Sequence, residues 1–424
     1  MGPGCSRTCH ACMVSGTMGV EATIGLPESA PPSPVGPPGA PPFISLSLLS
    51  FASLPFTASL PMSSCRTLIQ PHGRRCWLRK CGVRYAERMA SYRFPRIPQF
   101  GPFDTPDFLR TFGIDCSIGR FTAIGSRNLD SADRVAVFIP GFTGSKEDFI
   151  PFFPALWKAL GIHEGVMDDF PDGQGGADRV SGIAGRSTAI VAYSQRGQAD
   201  SVAPTDRHAY GLDDFVADGC EILERLGARD RPVDLVGHSF GGVVARRVAL
   251  RRPELLRSLT VFDSGAVPVR RTPLFAAAPT LIRVFGPMLL YYAYRPKLRD
   301  EPQGDKLAEL FRQNMHATSR HHLASVADFM TRFDDVTDDL RRLHDGGGND
   351  DDDFTGGDAT NRRRGLPMNI MYGVDDDVWP TAVYDREAEA LGIAPIAFDD
   401  AAHIPTYDRP EEFAAALVDF WRRA

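Results

Sequence analysis

The chain has 424 residues, enough at about 150 per domain for two or three domains, or for one large α/β domain with appendages. Hydrophobic residues make up 43% and charged residues 24%, which excludes collagen-like and wholly disordered classes, and eight cysteines are too sparse for a disulfide scaffold. A net charge of −6 and a pI of about 6.0 argue against bulk attraction to nucleic acid or anionic membranes, so small molecules are the expected partners.

Residues 1–88 differ from the rest. They hold 12 of the 34 prolines and carry 8 Lys+Arg against 3 Asp+Glu, leaving 39 against 50 for the remainder. Pro27 to Pro42 is a Pro/Gly/Ala/Ser run that cannot bury enough apolar surface to offset the entropy of ordering it, so this extension is expected to be disordered. Ile44 to Leu60 is apolar but interrupted by Pro55 and short of the ~20 residues of a span, and it lies too far from Met1 for an ordinary signal peptide. No membrane span is expected, and a cytoplasmic location is. Arg66 to Arg88 is a basic stretch, and Met89 opens a cleaner sequence and is a candidate translation start. Cys5, Cys9 and Cys12 have C-x3-C-x2-C spacing without a packed scaffold to hold a cluster, Cys76 and Cys81 lack a companion pair, and Cys116 and Cys220 read as core residues. No metal and no cofactor are expected.

From about residue 113, short β-rich runs alternate with amphipathic stretches, the pattern of an α/β domain with a mostly parallel sheet covered by helices. Val135 to Ile139 is a buried strand ending at Pro140-Gly141. Ser145 and Asp148 have capping-box spacing before a helix with Phe149, Phe153, Leu156 and Leu160 on one face. Ala189 to Tyr193 is a strand, and Leu212 to Leu226 an amphipathic helix stopped at Gly227. Val233 to Val236 follows, then a helix through Val244 and Val248 ended by Pro253. Leu259 to Phe262, Asn369 to Tyr372 and Ile393 to Phe398 are further strands, and a last helix after Pro410 carries Phe413, Leu417, Phe420 and Trp421.

Gly237-His238-Ser239-Phe240-Gly241 is a G-x-S-x-G sequence between a strand and a helix. A serine on so sharp a turn projects its hydroxyl above the sheet, and flanking glycines remove clashes with strand and helix. That hydroxyl needs a base, itself held by a carboxylate. His403, on the loop after the last strand, is the best base, because open α/β sheets place ligands at the carboxyl ends of their strands. His238 is expected to point away from the site, and His316, His321 and His322 to lie on the surface of a helical insertion. The carboxylate is expected on Gly373-Val374-Asp375-Asp376-Asp377, which offers three candidates. The amides of Phe142 and Phe240 are the expected oxyanion donors.

With these residues in place, the chain from about 110 to 424 resembles an α/β-hydrolase, similar to bacterial esterases and cofactor-free haloperoxidases. Arg196-Gly197-Gln198-Ala199-Asp200-Ser201 is similar to the family's R-G-x-G-x-S loop, with Ala199 in place of a glycine. Gly373-Val374-Asp375-Asp376 resembles its G-x-x-D acid loop and implies Asp376, with Asp263 after the sixth strand as the alternative. Ala402-His403 stands where the family often has Gly-His, Arg409-Pro410-Glu411 matches the R-P-E opening its final helix, and Pro140-Gly141 replaces His-Gly. The resemblance implies an eight-stranded sheet and an 89–424 hydrolase domain.

Ile162 to Arg186 and Ser264 to about Phe333 are insertions. The second has the length of a helical cap, whose apolar residues Phe275, Leu281, Ile282, Val284, Phe285, Met288, Leu289, Leu290, Tyr291 and Tyr292 exceed what one helix needs to pack onto a sheet, so some of them are expected to line an acyl pocket. Asp345 to Asp358 with Arg362 to Arg364 is a Gly/Asp run without EF-hand spacing, read as a solvated loop at 345–364. The expectation is a serine hydrolase of an apolar carboxylic ester or related acyl substrate, with Ser239, His403 and Asp376 as the triad. C–C bond hydrolase, aminopeptidase, acyltransferase and perhydrolase chemistries use the same residues, and a non-catalytic ligand-binding member is the rival from another class.

Overall fold

The computed structural model describes residues 94–161, 188–299, 304–346 and 365–424. The expectations for residues 1–88 (including Cys5, Cys9, Cys12, Cys76 and Cys81), for the 162–186 insertion and for 347–364 of the Gly/Asp run lie outside them.

Eight strands form one sheet: β1 (Leu109–Cys116), β2 (Gly119–Ser126), β3 (Arg134–Ile139), β4 (Thr188–Tyr193), β5 (Val233–His238), β6 (Leu256–Phe262), β7 (Met368–Gly373) and β8 (Ile396–Phe398), in the order β1-β2-β4-β3-β5-β6-β7-β8. β1 pairs antiparallel with β2, and β2 antiparallel with β4; every later pairing is parallel. Arg96 forms an isolated antiparallel bridge to Phe112 of β1, and the Phe94 ring stacks on that of Phe112 with centroids 5.2 Å apart.

Side chains alternate between the two faces of β3. Val135, Val137 and Ile139 pack into one apolar cluster with Phe215 of α2 (Leu212–Arg225) and Val244 of α3 (Phe240–Arg251). Ala136 and Phe138 enter the other, with Phe153 of α1 (Phe153–Ala159) and Phe413 and Leu417 of α11 (Pro410–Arg423). A sheet buried on both faces explains why its central strands read as continuous apolar runs. The helix expected after Ser145 is divided: Lys146–Phe149 is a single 3-10 turn and α1 begins only at Phe153, because Pro151 and Pro154 tolerate only the first positions of a helix.

Five described helices stand between β6 and β7, and the first four build the cap: α4 (Pro273–Phe285), α5 (Met288–Arg299), α6 (Gly304–Ala317) and α7 (Arg320–Phe329). Ile282, Met315, Leu323, Ala324 and Ala327 form a third cluster there, and Phe142, from the loop after β3, packs against it. That contact sets the cap over the β3 loop. α8 (Thr337–His344), α9 (Thr381–Leu391) and the short α10 (Pro405–Asp408) complete the described helices. None of these is by itself long and apolar enough to cross a membrane.

Candidate active site

The loops at the carboxyl ends of β3, β5, β6, β7 and β8 converge. Ser239 sits between β5 and α3 with φ 51° and ψ −120°, outside the ordinary L-residue regions. Such a conformation costs about 1–3 kcal/mol and persists only where its surroundings enforce it. Gly241 is one enforcing element: a Cβ there would lie 2.3 Å from the Ile139 carbonyl oxygen, so only glycine lets α3 start against the end of β3. The Ser239 amide donates to the Phe262 carbonyl at 3.1 Å, tying the turn to β6.

His403 stands beside the elbow, its ring centroid 5.1 Å from that of His238, and its own loop positions it. Asp408 accepts from the Ala402 amide at 2.9 Å, and Arg409 donates to the Asp399 carbonyl at 3.1 Å and to the Asp400 carboxylate at 2.5 Å. The acid loop packs directly on it, because a Cβ at Gly373 would meet the Ala402 carbonyl oxygen at 2.1 Å.

Of the three acidic residues on that loop, Asp376 is the one that meets the histidine. Its Oδ1 lies 2.9 Å from His403 Nδ1 and also accepts from the Val378 amide at 2.8 Å, while Oδ2 accepts from the Tyr384 hydroxyl. Burial raises this carboxyl, but the charge and hydrogen bond of His403, with those from Tyr384 and Val378, outweigh burial and hold it below the usual carboxylate range. The arrangement leaves His403 Nε2 available for a second partner.

Asp263 comes close as well. It is fully buried at φ 44°, accepts from the Gly373 amide at 3.0 Å through Oδ1, and has no hydrogen-bond partner at Oδ2. Burial and then the neighbouring Asp376 charge push its carboxyl well above the usual range, toward the neutral acid. Asp263, Asp376 and His403 offer ligand atoms within 4.8 Å of one another, the grouping among the described residues with metal-like spacing, although one Asp376 oxygen is already bonded to His403.

Two expectations about histidines are corrected. His238 does not point away: its Nε2 lies 3.0 Å from the His403 carbonyl, and its ring stacks on Phe262 with centroids 4.7 Å apart. Desolvation, followed by the nearby His403 charge, lowers it to about 3, so it supports the His403 loop as a neutral ring. His322 is not on the surface but 0% exposed, with Nε2 3.1 Å from the Phe142 carbonyl and Nδ1 2.9 Å from the Arg196 carbonyl. The period of α7 carries the missed signal, since Val326, four residues on, is also buried.

The loop after β3 is braced from below. Gln195 Nε2 donates to the Pro140 carbonyl at 3.0 Å and Gln198 Nε2 to the Gly141 carbonyl at 2.7 Å. Lys146, wholly buried, places Nζ 2.6 Å from both Asp200 and Glu147. These contacts hold carbonyls and leave amides free: neither the Phe142 nor the Phe240 N–H is taken by a backbone carbonyl in the described turns and caps. Ala199, in place of a family glycine, keeps the left-handed turn at φ 45°.

A model of the family described as "Alpha/beta hydrolase family" matches residues 136–416, more than half of the chain. The chain belongs to the alpha/beta hydrolase family. Among curated relatives, Epoxide hydrolase 4 of Mus musculus is 36% identical over 74 residues, covering 18% of this chain and 20% of that protein. The Homo sapiens protein of the same name is 35% identical over 74 residues, with the same shares. The chain thus aligns with about a fifth of the length of these relatives. Among solved structures, a bromoperoxidase from Bacillus anthracis superposes with a TM-score of 0.53 at 15% identity, over 74% of this chain and 99% of that one. A thermophilic esterase from Thermogutta terrifontis gives 0.51 at 18% identity, over 74% and 98%. These likenesses bear on the fold, and they bear out the expected family and sheet.

Within the cap of this hydrolase fold Ile282 is buried and Phe275 partly so, whereas Val284, Phe285 and Tyr292 face solvent.

Proposed function

We propose that the chain is a serine hydrolase acting on a carboxylic ester or related acyl substrate through an acyl-enzyme. The observation that carries this reading is the strained Ser239 turn, with the neighbouring His403–Asp376 pair bonded at 2.9 Å. Ser239 Oγ attacks the carbonyl carbon as His403 Nε2 takes its proton, and Asp376 stabilises the imidazolium that forms. The carbonyl oxygen, now an oxyanion, receives the Phe142 and Phe240 amides. Collapse expels the alcohol, protonated by His403. Water, deprotonated by the same ring, then releases the acid and restores Ser239.

The name of the curated relatives raises epoxide opening as a second reading, and the nucleophile decides against it. A carboxylate that opens an epoxide leaves an ester, which water can cleave, whereas a serine would leave an ether, which it cannot. Ser239 therefore suits acyl transfer. A fluorophosphonate probe tests the proposal: labelling should map to Ser239 and disappear in Ser239→Ala. An unlabelled protein, or a label on another residue, would overturn it and favour a non-catalytic ligand-binding protein.

A further inference from the structure

The bend between α4 and α5 exposes apolar side chains that a soluble surface ordinarily covers. Val284 is 65% exposed, and Phe285 and Tyr292 are each 66% exposed, whereas the other large apolar residues exposed among those described reach at most 41%. All three lie within nine residues around Gly286-Pro287, where the helix axes turn by 120°. Gly286, at φ 81°, makes that turn. The bend stands out as a blunt apolar tip.

Charge along the α4–α5 segment of the sequence is one-sided. Residues 264–299 contain six basic residues (Arg270, Arg271, Arg283, Arg295, Lys297 and Arg299) and no acidic one, in a chain whose net charge is −6. Among the described residues Arg270, Arg271, Arg283 and Arg295 make no ion pair, and Arg320 of α7 adds a further guanidinium by donating to the Arg283 carbonyl at 3.1 Å. The bulk charge that disfavours membranes therefore does not describe this face.

We propose that the α4–α5 hairpin is a peripheral docking surface for an anionic lipid bilayer. Apolar side chains flanked by unpaired cations are what the boundary between headgroups and acyl chains accepts: the apolar groups enter, and the cations stay level with the phosphates. A second copy of the chain is a poor occupant, because it would bring six like charges against six. The bend also prevents the pair from acting as one straight span, so the hairpin would lie on the bilayer and not cross it.

Docking there would bring the active-site loops near the lipid. Tyr294 of α5 is half-buried and close enough to Asp377 of the acid loop for that carboxylate to add to the upward push of burial on its hydroxyl. Met288, Leu290 and Tyr291 share with Phe142 the cluster around Ile282. The proposal does not depend on the ester-hydrolase reading, since its test reads binding.

The experiment is co-sedimentation of the full chain with vesicles of phosphatidylcholine alone or mixed with phosphatidylglycerol, in low and high salt. Binding is expected only to the anionic vesicles, weakening as salt rises. The triple variant Val284→Ser, Phe285→Ser, Tyr292→Ser should bind at least about tenfold more weakly, with an unchanged melting temperature because all three side chains are exposed. The proposal is overturned if anionic vesicles are not bound, or if the triple variant binds them like the wild type, which would move binding to another part such as the basic stretch from Arg66 to Arg88. It is equally overturned if light scattering finds a dimer that the triple variant converts to monomer while vesicle binding is unchanged.

Discussion

His322 of the cap holds the backbone carbonyl of Phe142 at 3.1 Å through Nε2, while the other nitrogen of the same ring lies 2.9 Å from the Arg196 carbonyl. Both partners are acceptors, and a neutral imidazole has one proton to give. Complete burial lowers this ring to about 4 against the upward pull of the two carbonyls, so it is neutral at pH 7 and one of the two contacts lacks a proton. The ring sits where the cap, the β3 loop and the Arg196 loop meet, and it fixes the peptide plane whose neighbouring N–H is the proposed oxyanion donor.

His322→Phe should therefore lower kcat for a small activated ester about tenfold to a hundredfold, with KM changed much less. His322→Gln, whose amide can still donate to one carbonyl, should recover part of the loss. Binding of a boronic acid that mimics the tetrahedral intermediate should weaken in parallel with kcat. An unchanged boronic acid affinity would assign the ring a packing role only.

The same ring gives a pH signature. His322 and His238 are lowered from 6.5 to about 4 and about 3, so the unfolded chain binds protons more readily than the fold at these positions. Their contribution is complete above about pH 6.5 and is lost as pH falls toward those folded values. Half-buried Asp148 and buried Asp218, raised by desolvation to about 7 and about 6, act in the opposite sense, losing stability as pH rises through those values. Comparing wild type with His322→Gln cancels the shared carboxylates. The gap in melting temperature should change between pH 6.5 and 4 and be level above pH 7; a constant offset would contradict a neutral buried His322.

The parts of the site legible in the sequence were those fixed by backbone chemistry. Gly241 and Gly373 stand where a Cβ would strike carbonyl oxygens at 2.3 and 2.1 Å, so the elbow and the acid loop each require a glycine that a motif can register. From Val135 onward the order of strands and helices was legible because burial on both faces of the sheet enforces unbroken apolar runs, whereas the antiparallel β1–β2 pair before it was not assigned. What escaped were contacts between distant segments. His238 and His322 were assigned to the wrong surroundings because their partners lie 165 and 180 residues away, at His403 and Phe142. The exposed tip at Phe285 escaped for the converse reason: composition registers apolar residues but not which of them the fold leaves uncovered.

Two carboxyls flank the His403 pair, and their charge states separate their roles. Asp376 is held ionised against His403, so Asp376→Asn should lower kcat by about 10⁴, since an amide cannot stabilise an imidazolium. Asp263 is held toward the neutral form, for which asparagine is a close isostere that also tolerates φ 44°. Asp263→Asn should keep activity within about tenfold, by the same kinetic comparison. Because a raised carboxyl contributes stability below its unfolded value of 3.8 and loses it as pH rises, the variant should gain on wild type toward alkaline pH. A large loss of kcat in Asp263→Asn with a silent Asp376→Asn would reverse the assignment.

Beneath the acid loops, Arg246 of α3 and Glu387 of α9 form a doubly bonded ion pair, with Nε to Oε1 at 2.7 Å and NH2 to Oε2 at 2.6 Å. Arg246 also donates to the Ser264 hydroxyl at 2.8 Å and carbonyl at 2.6 Å, anchoring the residue that follows Asp263. Both side chains are almost completely buried, so the attraction is strong but so is the cost of desolvation. Removing one partner strands a charge, and Glu387→Ala should lower unfolding free energy by about 3–5 kcal/mol. Replacing both, as Arg246→Met with Glu387→Leu, should cost less than either single change, because no charge is then left unpaired, although Ser264 loses its donor. Urea denaturation of the wild type, Arg246→Met, Glu387→Leu and the double variant gives the coupling directly. A double variant no more stable than Glu387→Ala would mean that Arg246 acts mainly through Ser264, in which case Ser264→Ala alone should reproduce most of the loss.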